Sequence, residues 1–154
     1  MAVLPSGLSK YKSYFRAAVA AVPDVTSFVF GHIERPIAGT RSELTYPLFH
    51  LQPPLVRAIN NDANYFALKF CGTFVIWCLG DTDDWDSQDN AWDLSLALSM
   101  EVIKKMQHDC NDGLIDEFDE STVQMEMVKP LWVDRGYGWE VYFEFQIPVI
   151  DELC

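Results

Sequence analysis

The sequence predicts an α+β fold: a mostly antiparallel twisted sheet packed against one long amphipathic helix, with an additional N-terminal helix. Three observations carry that expectation. WEVYFEFQI (139–147) alternates apolar and polar residues at period two, the pattern of a strand with one buried face. YFALKFCGTFVIWCLG (65–80) is a long run rich in β-branched and aromatic residues. After Gly80 the apolar period lengthens to that of a helix and holds to about Gln107. The chain has 154 residues, 49% apolar and 14% aromatic, enough for one domain (1–154) with its own core. No internal repeat or low-complexity linker divides it.

In chain order, the first helix is expected from Ser9 to Val22. Tyr14, Ala17, Ala18 and Ala21 fall at helical spacing, and Pro23-Asp24 ends it. VTSFVFGHIE (25–34) reads as a strand, with Phe28, Phe30 and His32 on one face. RPIAGTRSE (35–43) reads as a loop. In 44–62, Pro47, Pro53 and Pro54 confine any strand to a short or edge position, because proline donates no ladder hydrogen bond. Residues 64–79 form the long central strand, with Gly72 marking a bulge or bend.

The stretch DTDDWDSQDNAWD (81–93) holds six aspartates and two tryptophans. Short polar side chains cap helix starts, and acidic ones oppose the positive end of the helix dipole. The long helix is therefore expected from Trp85 to about Gln107. Trp92, Leu96, Ser99, Ile103 and Met106 lie along one side, widened by Leu98 and Val102. DCNDGLIDEFDEST (109–122) reads as a solvated loop. VQMEMVK (123–129) alternates as a strand, and LWVDRGYGW (131–139) reads as the hairpin connection to the last strand (139–147).

The formal charge of −12 disfavours direct binding to nucleic-acid phosphates or an anionic membrane surface. No run approaches the roughly 18 apolar residues of a membrane helix, and the first residues lack the h-region of a secretory leader. Cys71, Cys78, Cys110 and Cys154 are scattered. Cys71 and Cys78 would point to opposite faces of one strand, so free thiols and a reducing, intracellular origin are expected. His32, His50 and His108 stand at no metal-ligand spacing, and the sequence has no CxxC, GxSxG, P-loop or GxGxxG motif. His32 and Glu34 could pair on one strand face, but a structural hydrogen bond is the commoner role. His50 is expected in the core or an interface. Calcium loops starting at Asp81 or Asp84 fail at the fifth and sixth positions. No enzyme activity, cofactor or metal is expected.

The order of these elements, with TYPLFHLQPP (45–54), the strand 64–79, the acidic turn leading into LSLALSMEVIKKM, and WEVYFEFQIP (139–148), resembles small neck proteins of tailed phages. The likeness is to the tail-terminator family, especially versions from phages and prophages of Bacteroidetes hosts. It implies a virion structural protein, assembled in the bacterial cytoplasm, that forms a usually hexameric ring. Such a ring caps the tail tube, meets the head-completion or connector protein, and lets DNA pass without binding it specifically. Trp85 on the acidic turn, with Trp132, Asp134, Arg135 and Tyr137 of the final hairpin, are then the candidate subunit or partner contacts. A head–tail adaptor and a small α+β ligand-binding domain with a pocket lined by Phe66, Phe70, Phe74, Trp77, Phe143 and Phe145 remain the alternatives.

Overall fold

A computed structural model describes residues 7–32, 44–60, 66–131 and 136–148. The fold is α+β. Helix α1 spans Gly7–Ala20 and α2 spans Trp85–Asn111. The strands are β1 (Ser27–Phe30), β2 (Leu48–Leu51), β3 (Leu55–Asn60), β4 (Phe66–Leu79), β5 (Gln124–Leu131) and β6 (Gly136–Pro148). They form one open, mixed sheet in the order β1-β2-β4-β6-β5, with β3 beside β2 on the same flank of β4. Among the described residues all pairs are antiparallel except β1 with β2. Among the described residues no helix is long and apolar enough to cross a membrane.

Both helices lie on one face of the sheet, and aromatic residues fill the space between. Phe49, Phe70, Phe74, Phe143 and Phe145 rise from the sheet to meet Tyr11 and Phe15 of α1. Tyr11 stacks on Phe70 at 4.7 Å, and Phe15 sits 5.1 Å from Phe143 and 5.8 Å from Phe49. Gly72 is what lets α1 come so near: a Cβ there would collide with the Tyr11 hydroxyl and stand 2.8 Å from the Phe143 ring. The residue expected to bend the strand instead clears space above it.

The buried stripe of α1 is Tyr11, Phe15, Ala18 and Val19, whereas Ala17 and Ala21 of the expected stripe are exposed. Burial follows the side chains with most apolar area to hide, and alanine has little. On α2 the stripe is centred on Ala91, Ser95, Leu98, Ser99, Val102 and Met106, with Trp92 and Leu96 half-buried at its flank. Small residues along its middle let the helix sit close. Ser95 Oγ donates to Ile76 O (2.6 Å) and accepts from Trp139 N (3.2 Å). That bridge falls where the β4–β6 ladder lapses, between Val75↔Glu140 and Cys78↔Tyr137. The two helices are tied by buried Asp109, which accepts from Tyr14 Oη (2.9 Å) and is salt-bridged to Lys105.

Several expected boundaries move. The first strand stops at Phe30, because Gly31 takes φ 138° and turns the chain, so His32 lies outside it. Glu34 and the 35–43 loop are outside the described residues. Helix α2 runs on to Asn111. The segment behind it is no simple solvated loop, since Ile115 and Phe118 are buried and Asp116 exchanges two backbone hydrogen bonds with Gln146. Strand β6 begins at Gly136, so Gly136 and Gly138 belong to the strand and not to its turn.

Candidate functional site

Three surfaces are distinguished by their chemistry. The first is the acidic turn before α2. Asp84 is the N-cap, its Oδ1 accepting from Asp86 N (3.0 Å) and Ser87 N (3.4 Å). Asp81 Oδ1 accepts from Asp83 N, and Gln88 Nε2 donates to the Asp81 and Thr82 carbonyls. These bonds occupy the carboxylates of Asp81 and Asp84 in shaping the turn. Among the described residues no three His, Cys, Asp or Glu side chains gather where an ion could be held. The turn is a stiff mount for Trp85, which is 82% exposed.

The second surface is the sheet face turned away from the helices. At the β1–β2 end it is dry: Leu48, Val75 and Trp77 are buried beneath Leu44, Tyr46, Val29 and Val128. His50 is fully buried among them. Its Nε2 lies 2.7 Å from Gly31 O, and Trp77 Nε1 approaches its Nδ1 at 3.5 Å. An indole N–H can only donate, so Nδ1 carries the lone pair and Nε2 the proton. Burial holds the imidazole below its ordinary range, against the opposing pull of the Gly31 carbonyl and Glu140 and with a smaller push from His32.

A histidine kept neutral in the fold is protonated first in the unfolded chain. Its stability contribution is therefore whole above about pH 6.5 and declines as pH falls below that value. Urea midpoints should drop between pH 7 and pH 5, and by less in His50→Gln, which has no ring to protonate. Equal drops in both proteins would remove His50 from the account.

Toward β3 and β5 the same face is polar. Lys69 Nζ and Glu144 Oε2 are 3.0 Å apart, Thr73 Oγ1 donates to Gln52 Oε1 (2.9 Å), and Tyr142 Oη donates to Glu140 Oε2 (3.0 Å). An open cleft of about 380 Å³ lies over Cys71, Thr73, Gln124, Tyr142 and Glu144. Partial burial, then the neighbouring Glu144 carboxylate, push the Cys71 thiol up, while the hydrogen bond from Lys69 holds Glu144 low. A protonated thiol beside a carboxylate is a poor nucleophile.

The third surface is the groove between α2 and the edge strand β5, about 390 Å³, lined by Met100, Ile103, Lys104, Val123 and Met125. Met127 continues it and is 48% exposed. Across the sheet, edge strand β3 presents Leu55 (58% exposed) and Val56 (42% exposed). The aromatic residues that could have lined an internal pocket pack on one another instead: Phe70 with Phe145, and Phe74 with Phe143, at 5.9 Å. Trp77 faces the opposite side of the sheet, and the Phe66 side chain is outside the description.

Of the five expected contact residues, Trp85 stands in solvent. Trp132, Asp134 and Arg135 lie outside the described residues. Tyr137 is a correction: it is 3% exposed, set edge-on against Trp92 at 4.9 Å and pressed over Gly80. Reading GYGW as a turn placed it outside. Extending the odd-numbered alternation of Trp139, Val141, Phe143 and Phe145 back by one step would have placed it in the core. The residues of the two exposed edges, Val56, Arg57, Glu126 and Met127, were not singled out. Their signal was a strand-length alternation next to proline. No protein-family model matches this chain, and no curated protein matches it.

Proposed function

We propose that this chain is a structural subunit of a tailed-phage neck. In this reading it caps the tail tube as a ring and docks to the head-completion or connector protein, with no bond made or broken. One observation carries the reading: the aromatic interior is filled, while apolar side chains are left exposed on both flanks of the sheet and at Trp85. Large apolar groups offered at strand edges suit protein partners, whereas a small ligand calls for an enclosed cavity. The acidic surface adds support, because like charge lets a duplex slide past without sticking.

The test is direct. Added to polymerised tail tubes of its own phage, the protein should appear in negative-stain images as a ring-shaped density at one tube end. Bare tube ends at saturating protein would count against capping, and binding to the connector alone would mark it as a head–tail adaptor. Trp85→Ala should leave the urea midpoint within about 0.5 kcal/mol of the parent, as an exposed residue does. The same change should weaken docking by about 2 kcal/mol or more, as a central interface tryptophan does. Unchanged docking would clear Trp85 of any contact role.

A further inference from the structure

The two exposed flanks of the sheet are complementary to each other. Strand β3 runs antiparallel to β4, β4 to β6, and β6 to β5, so β3 and β5 point in opposite directions. A second copy placed beside the first, in the same orientation, therefore continues the antiparallel alternation. On both strands one side is already paired, and among the described residues nothing pairs with the other.

The side chains match as well. Arg57 is paired with Lys69, and Glu126 with Glu140, so both project from the sheet face away from the helices. Glu126 and Glu140 stand directly opposite each other across β5 and β6, an unfavourable like-charge pair. No salt bridge among the described residues relieves them, and Arg57 makes none either, although its charge acts at longer range on Glu144. On the helix-side face, exposed Val56 and Met127 sit one residue before and after these charges.

We infer that copies of this chain join head to tail, β3 of one pairing antiparallel with β5 of the next, with Arg57 opposite Glu126. In that register Leu55 meets Val128, Val56 meets Met127, and Ala58 meets Met125. The small side chains of Val56 and Ala58 enter the groove beneath Met100 and Ile103. Pro54 and Pro130 then stop the pairing at the same end, next to the irregularity between Val128 and Leu131. Joining two β5 edges would set Glu126 among acidic groups, and joining two β3 edges would bring Arg57 near Arg57, so a two-fold dimer is disfavoured. This joint rests on the oligomeric reading proposed above and names the surface that builds it.

The experiment is a charge swap in the full chain, read by light scattering. The parent should have a mass several times 17.6 kDa. Arg57→Glu and Glu126→Arg should each associate about tenfold more weakly or worse, because each sets like charges face to face. Their circular dichroism should be unchanged, since both positions are exposed. Glu126→Arg turns the like-charge pair with Glu140 into an opposite-charge one, so as a monomer it should melt no lower than the parent monomer. The double variant should regain assembly. Mixing the two single variants should also restore it, because in a head-to-tail array each junction then joins opposite charges. A parent that stays monomeric, single variants that keep the parent mass, or a double variant as weak as the singles would overturn the joint. If R57E keeps the parent mass and still caps tubes, the joint fails and the neck reading survives. If assembly follows the swap but tube ends stay bare, the neck reading fails and the joint survives.

Discussion

Phe15→Ala is expected to lower stability by about 3–5 kcal/mol, the usual cost of emptying an aromatic site in a packed core. Phe15 is fully buried, and its ring touches those of Tyr11, Tyr14, Phe49, Phe74, Phe143 and Phe145. Those neighbours come from α1, β2, β4 and β6, so no one element can close the gap by shifting alone. Helix α1 is only 14 residues long and depends on this face to stay docked. The measurement is a denaturant midpoint, with protease cleavage within residues 7–20 as a local readout. A loss under about 1 kcal/mol, well short of the cavity cost, would show that the aromatic cluster can collapse around the missing ring.

Ser95→Ala is expected to be the next most costly change. It removes one hydroxyl but strands two backbone groups, the buried Ile76 O and the part-buried Trp139 N, at about 1–3 kcal/mol for a group left unsatisfied out of reach of water. It also removes the clasp between β4 and β6 where their ladder lapses. Hydrogen exchange should therefore rise selectively at residues 76–78 and 137–139. Uniform exchange with an unchanged midpoint would mean that the strands re-pair once the serine is gone, making it a substitute for a ladder bond and not a support.

The parts of this fold legible from sequence are those where one period runs long enough to be counted. β4, β6 and α2 meet that condition. The prolines at 53 and 54 also spoke plainly: they split one flank of β4 between β2, which pairs with Leu48↔Trp77 to Leu51↔Phe74, and β3, which pairs with Leu55↔Cys71 to Asn60↔Phe66. The parallel pairing of β1 with β2 left no such trace, since four-residue strands carry too little pattern. The inward face of α1 was misplaced because alanines satisfied the spacing while the aromatic rings supplied the area. Ser95 and Asp109 were invisible for another reason. A buried polar residue is explained by the atom it meets across the fold, and linear spacing does not contain that atom.

The break at Pro53-Pro54 has a consequence for any assembly built from these edges. It seats β3 low on β4, in the row of Lys69, while Glu126 lies through Glu140 in the row of Val75. Those rows are roughly six residues apart, or about 20 Å, and four strands span about 19 Å across. Neighbours would thus climb as much as they advance, like treads of a stair. To level that climb into a closed hoop, every strand must lean about 45° from the hoop's axis, near the slope that closed barrels adopt. A hoop with upright strands is geometrically barred, and a lean that fails to cancel the rise yields a spiral.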